Sequence, residues 1–333
     1  MKEILNNLFE HKKLSKDEAK NVLINISSET YNEAQIAAFI TVYLMRGISI
    51  EELKGFREAL LELCIPVDLE GIESIDVCGT GGDGKNTFNI STLSAFVIAG
   101  AGYKVSKHGN YGVSSACGSS NVLEHLGYQF TNDVDTLKRQ LDQTNVCFFH
   151  APLFHPALKS VGPIRRQLGI KTFFNMLGPL VNPAQPTNQM VGVFNLKLSR
   201  LYQYLFEELD LKYSIVHGLD GYDELSLTDH AKVISSNSGE YILTNEMFDL
   251  PTYAPTEIHG GNTVEEAAGI FTSVLKNEAT EAQRDVVAAN AALAIDSFKE
   301  ESNLVDSLAE AQDSLASGRA FDSFTSVVDL SGK

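Results

Sequence analysis

One change of rhythm and one turn predict the fold class of this 333-residue chain. Residues 1 to about 65 keep helical apolar spacing, whereas from Gly71 onward short β-rich runs alternate with helical stretches. At the first of those alternations a glycine-rich turn joins strand to helix. Strands separated by helices build parallel sheets, because a parallel return needs a crossover. The expectation is an α/β protein with a small N-terminal helical domain over 1–67 and a larger domain over 71–331. The larger domain carries a mostly parallel central sheet, and the segment around 156–185 is expected to pack with the helical one.

The N-terminal helices announce their starts. Ser15…Glu18, Thr30…Glu33 and Ser49…Glu52 each read as a capping box ahead of apolar helical spacing. Gly47 suits the end of the helix carrying Ile36, Phe39, Ile40, Tyr43 and Leu44, and Pro66 closes the last one. This unit shows no chemistry, so its apolar faces are expected to pack together or to form a homodimer contact. Beyond Gly71, strands are expected at 74–78, 103–106, 146–149, 190–194, 213–217, 231–235 and 240–243. Helices are expected at 91–101, 119–126, 133–143, 156–168, 197–210, 264–275, 281–297 and 302–316, with 179–186 as a proline-rich connector.

Composition narrows the partners. Lys plus Arg minus Asp plus Glu is 26 − 43 = −17, with no basic block, which disfavours nucleic acid and anionic membranes. Between Ala101 and Lys171 the balance reverses, with eight Lys/Arg against four acids. A small anionic ligand would suit that segment, although surface lysines produce the same count. Cys64, Cys78, Cys117 and Cys147 form no C-x-x-C pair, so neither zinc nor a disulfide framework is expected. Met1 leads into a polar amphipathic segment and no apolar run approaches a membrane span. A cytoplasmic protein is the expectation.

The chemistry gathers around Asp76-Val77-Cys78-Gly79-Thr80-Gly81-Gly82-Asp83-Gly84 and Asn89-Ile90-Ser91-Thr92. A glycine-rich turn lets backbone N–H groups approach an oxyanion, and the helix behind it aims its free N–H groups at the same point. Gly79-x-Gly81-x-x-Gly84 fits a dinucleotide fingerprint, but Lys104 and Lys107 stand where an acid should follow. Gly79-x4-Gly84-Lys85 fits most of a P-loop, but Asn86 replaces the magnesium-binding Ser or Thr, and Asp83 puts a carboxylate in the cradle. A plain structural turn is the bland alternative. A phosphate ligand that tolerates Asp83 through a metal or ribose hydroxyls fits better.

Three further stretches stand where strands stop or helices begin. Lys107-His108-Gly109-Asn110-Tyr111-Gly112, running on to Ser119-Ser120, offers many hydrogen-bond donors and little negative charge, as a pyrophosphate requires. An irregular loop with Ser119 as a helix cap is the alternative. Arg165 and Arg166 point about 100° apart on a helix, so only one can easily face a pocket, where it would grip a carboxylate bidentately. Asp223 and Glu224, in the stretch from His217 to Ser226, can converge on magnesium if they lie on a loop, or simply form a solvated acidic turn.

Taken in order, these motifs resemble the anthranilate phosphoribosyltransferase family, whose fold is nucleoside-phosphorylase-like. The resemblance spans almost the whole chain. It also includes His155-Pro156-Ala157 leading to Arg165-Arg166, Leu177-Gly178-Pro179-Leu180-x-Asn182-Pro183 and Asp220-Gly221-x-Asp223-Glu224. It implies transfer of 5-phosphoribosyl from phosphoribosyl pyrophosphate to the amine of anthranilate, in tryptophan biosynthesis, with Mg²⁺ assistance and two ions per subunit. Carried over by position, Gly79, Gly82, Asp83, Thr87, Asn89, Ile90, Ser91, Thr92, Lys107, Ser115 and Ser119 correspond to the donor site. Gly79, His108, Asn110 and Arg165 correspond to anthranilate contacts, and Ser91, Asp223 and Glu224 to magnesium ligands. No dedicated acid or base is implied, and the N-terminal helical domain is the implied homodimer contact.

Two departures matter. Members often carry basic residues where Tyr111 and Ala116 stand, and Cys117 replaces a common Ser, which implies weaker phosphate affinity or charge supplied by other groups. A pyrimidine nucleoside phosphorylase on the same scaffold is the first rival, opposed by Arg165 and the 177–183 segment. A non-catalytic relative that binds nucleic acid is the second, opposed by the net charge of −17 and by the Asp223-Glu224 pair.

Overall fold

The computed structural model describes residues 1–112, 117–301 and 303–332. Ser115, one of the expected donor contacts, and Ala116 lie outside the described residues. The chain divides into two compact units, Met1–Val67 with Ala151–Gln185 and Asp68–His150 with Pro186–Lys333. The segment 151–185 therefore clusters with the helical unit although it falls within the 71–331 range.

The chain opens with α1 (Lys2–Phe9), α2 (Lys16–Ser27), α3 (Glu33–Arg46) and α4 (Ile50–Glu62). The first half of the larger unit follows as β1 (Ile75–Gly79), α5 (Ile90–Gly100), β2 (Val105–Gly109), α6 (Ser119–His125), α7 (Val134–Thr144) and β3 (Val146–His150). Two short helices, α8 (Ala151–Phe154) and α9 (Gly162–Leu168), belong to the helical unit. The sheet resumes with β4 (Asn188–Gly192), α10 (Leu196–Glu208), β5 (Lys212–Gly218), β6 (Ala231–Ser235) and β7 (Gly239–Leu243). Finally come α11 (Val264–Leu275), α12 (Glu281–Asp296), α13 (Leu304–Ala316) and α14 (Arg319–Ser331).

Four sequence expectations need correction. Two overlapping box signals precede α3, and the structure uses Asn32 with Gln35 rather than Thr30 with Glu33. The helix expected over 156–168 is broken into a 3₁₀ turn at Pro156–Leu158 and α9, whose second residue is Pro163. Lys107, His108 and Gly109 continue β2 instead of opening the loop after it. A whole helix, α14, was not anticipated, because it begins after Gly318 with no side-chain cap to mark it.

The helical unit is tied together by one carboxylate. Glu52, fully buried, accepts from Leu14 N at 3.0 Å, Ser49 N at 2.9 Å, Ser49 Oγ at 2.8 Å and the Tyr43 hydroxyl at 3.3 Å. Arg46 closes the set, with Nη1 at 3.1 Å from Oε2 and Nη2 on Oε1. Burial alone would raise the pKa of Glu52, but Arg46 and the Leu14 and Ser49 donors outweigh it and hold the carboxyl below its ordinary range. Around it Phe39, Tyr43, Phe56 and Phe173 pack edge-on, tilted or stacked, with centroids 4.7–6.2 Å apart.

The larger unit is a seven-stranded sheet in the order β3-β2-β1-β4-β5-β6-β7. The first five pair in parallel. β6 and β7 pair antiparallel, since the three residues between them are too few for a crossover. α5 and α12 are buried nearly all round, from Ile90 to Ala99 and from Val286 to Asp296, as helices without a polar face must be. With α13 and α14 they form one core against the sheet, in which Ser314 Oγ donates to Val97 O at 2.8 Å.

Candidate active site

Winding outward from the middle of the sheet, β1 leads to β2 and β3 on one side, while β4 leads to β5 on the other. The carboxyl edge between β1 and β4 is thus a topological switch point, where open α/β sheets leave a crevice. There Gly79 and Gly192 face each other across the ladder. Asp223 lies over both: a Cβ on Gly79 would stand 2.6 Å from Asp223 Oδ2, and one on Gly192 only 1.4 Å from the Asp223 carbonyl oxygen. Two glycines at this edge are what admit the loop after β5.

Between β1 and α5 the chain turns through Gly81, Gly82 and Gly84 at φ of 66°, 85° and 78°, a region that side chains resist. The amides so exposed meet carboxylates. Gly81 N donates to Asp223 Oδ2 at 2.6 Å, and Ser91 N, at the start of α5, donates to Glu224 Oε1 at 3.0 Å. Thr87 Oγ1 lies 3.5 Å from Glu224 Oε2, and Asp83 Oδ1 accepts from Lys85 N at 3.0 Å. The turn and the helix start are therefore anion-seeking, and the protein's own acids occupy them.

The remaining donor-site positions divide by what they can offer. Ile90 and Thr92 are buried inside α5, and Ile90 N donates to Phe88 O at 2.7 Å. Asn89 Nδ2 donates to Cys117 O at 3.2 Å, tying the turn to the start of α6. Lys107 is only 2 % exposed, and its ammonium donates to Val77 O. His108 is buried in β2, with its N–H on Asp76 Oδ1 at 3.1 Å. Asn110 is exposed; its Oδ1 accepts from Tyr111 N at 2.8 Å, while its carbonyl accepts from Ser119 Oγ at 3.2 Å. The Ser119 hydroxyl is thus turned onto the backbone.

The electrostatics of this edge are unbalanced. Burial first, and then the nearby Asp83 carboxylate, raise the Asp223 pKa, against the Gly81 N–H. Burial and the Asp223 charge likewise push Glu224 well above the carboxylate range, against Ser91 N–H and the charge of Lys107. Three acids share a space that one ammonium tempers. Among the described residues no group of three or more His, Cys, Asp or Glu could hold a metal ion. Oxygen donors crowded without a closed cage fit Mg²⁺, which keeps waters and takes ligand phosphate oxygens, and they do not fit zinc.

In the helical unit, the two arginines of α9 differ as helical geometry requires: Arg165 is half-buried and Arg166 exposed. Arg165 stands 5.4 Å over the Phe174 ring, with Nη2 3.4 Å from Asn175 Oδ1, and burial lowers its pKa. No carboxylate among the described residues pairs with it. A planar, partly desolvated guanidinium in that state is suited to a carboxylate ligand.

Several supporting residues escaped the sequence reading. His259 to Gly261 pair with the phosphate turn: Gly260 N donates to Asn86 O at 2.8 Å, and Asn86 Nδ2 to Gly261 O at 2.8 Å. A Cβ on Gly260 would lie 2.3 Å from Thr87 O, so the close approach needs glycine. Asn290 of α12 grips Leu225, accepting its N–H at 3.1 Å and donating to its carbonyl at 2.8 Å. Tyr222 carries the Lys85 ammonium 4.5 Å from its ring centroid. Only the paired glycines at 260 and 261 left any trace in the sequence.

A helical unit joined to an α/β unit, whose switch point offers amides and acids, is an architecture suited to a phosphorylated ligand. Residues 72–321 match the a/b domain and residues 2–64 the helical bundle domain of a glycosyl transferase family. The chain is 58 % identical to the anthranilate phosphoribosyltransferase of Christiangramia forsetii over 99 % of both proteins. It superposes on the crystal structure of that enzyme from Thermus thermophilus with a TM-score of 0.92, at 31 % identity and 99 % coverage of each chain. The Saccharomyces cerevisiae enzyme in complex with PRPP and Mg gives 0.91 at 26 % identity, covering 98 % of this chain and 96 % of that one. The chain belongs to the anthranilate phosphoribosyltransferase family.

Proposed function

We propose that this chain transfers the 5-phosphoribosyl group of phosphoribosyl pyrophosphate to the amine of anthranilate, giving N-(5-phosphoribosyl)anthranilate and pyrophosphate. The observation that carries the reading is the meeting of Gly81 N–H, Ser91 N–H, Asp223 and Glu224 at the β1/β4 switch point. The C1–O bond to pyrophosphate breaks, with its electron pair leaving on oxygen. The amine lone pair forms the C1–N bond, and the amine proton passes to pyrophosphate or solvent. An aromatic amine is already neutral near pH 7, so no strong base is required, and no nucleophile–base pair is needed at this edge.

Catalysis here consists of stabilising the departing charge and holding two reactants in line. The amides of Gly79, Gly82, Asp83 and the start of α5 cradle the diphosphate, with Thr87, Asn89, Lys107 and Ser119 around it. Ser91, Asp223 and Glu224 would hold magnesium, as two ions, which would supply positive charge against the diphosphate. Asn110 and His108 face the acceptor, and Arg165 grips its carboxylate. The Ser119 hydroxyl must turn from Asn110 O to reach a phosphate.

We also infer a homodimer through the helical unit, supported by exposed Phe9 (59 %), Leu44 (44 %) and Met45 (83 %). No described helix is long and apolar enough to cross a membrane. The cysteines are all free, which suits a reducing cytoplasm. The test of the reaction is the loss of anthranilate fluorescence on adding phosphoribosyl pyrophosphate. Loss that requires Mg²⁺ is expected; persistent fluorescence with active-site-competent, folded protein would sink the reading.

A further inference from the structure

We propose that Asn121 is a positioning residue for Asn110 and Ser119, because its single side-chain oxygen ties Gly112 to Gly118 beside them. Asn121 Oδ1 accepts from Gly112 N at 3.0 Å and from Gly118 N at 3.0 Å. The second of these is an ordinary capping contact at the start of α6. The first is not, since Gly112 lies beyond the end of β2, outside α6. The two ends touch: a Cβ on Gly118 would stand 2.1 Å from Gly112 N and 2.6 Å from the Tyr111 carbonyl carbon. Glycine at 118 permits the approach, and Asn121 fixes it.

The pinch bears on residues at both of its sides. Ser120 N and Ser119 Oγ both reach Asn110 O, at 3.3 and 3.2 Å, so the acceptor-facing Asn110 and the donor-facing Ser119 share one anchor. Asn89 of the glycine turn holds Cys117 O, next to the pinched Gly118. On the outer side Tyr111 straps the loop down, with its hydroxyl on Glu124 Oε1 at 2.8 Å and its ring edge-on to His150, centroids 4.7 Å apart. Tyr111 thus braces this segment with a ring and an acid.

The inference rests on the donor reading above, and its test separates the two. Hydrogen exchange at the Gly112 and Gly118 amides reads the pinch without substrate; both are expected to be protected in the parent protein and to exchange faster in Asn121→Ala. In turnover, Asn121→Ala is expected to raise KM for phosphoribosyl pyrophosphate about tenfold, leaving KM for anthranilate and Tm near the parent values. Asn121→Asp, which keeps the acceptor oxygen, is expected to restore most of the donor KM. An unchanged donor KM in Asn121→Ala, equal rises in both KM values with a fallen Tm, or an Asn121→Asp variant no better than Asn121→Ala would each overturn the proposal. Parent protein that consumes no anthranilate would instead overturn the functional reading, while the exchange result would still decide the pinch.

Discussion

Two acidic sites, one in each unit, carry similar groups in opposite states. Glu52 in the helical unit has four donors besides a bidentate guanidinium, and its carboxyl lies below the ordinary range. Asp223 and Glu224 at the switch point have amide donors but also each other and Asp83, and both carboxyls are pushed upward. The arginines show the same contrast: Arg46 is matched by Glu52, whereas Arg165 has an amide and a ring but no acid among the described residues. Charges that the protein itself completes hold the fold together. Charges left incomplete mark where a ligand's opposite charge belongs.

Breaking the completed cluster should have the largest effect on stability. Glu52→Ala strands the buried Arg46 and is expected to cost about 3–5 kcal/mol, read by urea unfolding. A loss below about 1 kcal/mol would mean the pair is not truly desolvated. The incomplete cluster should behave in the reverse way. Asp223→Asn with Glu224→Gln relieves like-charge repulsion, so stability should hold or rise, while kcat/KM falls at least about 100-fold. A double variant that keeps magnesium-dependent turnover would make these acids structural.

Acid should weaken the helical unit through His155. Burial holds its pKa at about 4, against the Val181 and Leu60 backbone groups that favour the charged form. Above pH 6.5 both folded and unfolded forms are neutral there. As pH falls from 6.5 to 4 the unfolded form gains a proton that the folded form refuses, so stability is lost, by about 3 kcal/mol at most. His155→Phe should flatten that slope in pH-dependent unfolding. Smallest is the effect of Arg165→Ala, which should raise KM for anthranilate by about 1.5–3 kcal/mol in equivalent free energy and leave the donor KM near its parent value. An unchanged anthranilate KM would remove Arg165 from the acceptor's contacts.

What the sequence could reveal depended on how far apart in the chain the partners lie. The strands and the glycine turn are local signals, and they appear near their expected places, although β2 runs on to Gly109. Gly192 and Asn290 act on residues 31 and 65 positions away, Asp223 and Leu225, so nothing in their own neighbourhoods announced them. Gly260 is extreme, answering to Thr87 across the unit. Helix α14 stayed hidden because Gly318 at positive φ supplies its start without a capping side chain. At α3 the error was one of choice, since Thr30…Glu33 and Asn32…Gln35 compete within the same few residues.

Calorimetric titration of phosphoribosyl pyrophosphate, with and without Mg²⁺, into the parent protein and the Asp223→Asn, Glu224→Gln variant measures the incomplete cluster most directly. Tight binding that needs both the cation and the two carboxylates is the expected result. Equal affinity in the variant, or binding in the parent that ignores Mg²⁺, would contradict the assignment of those acids to a cation-bridged diphosphate seat.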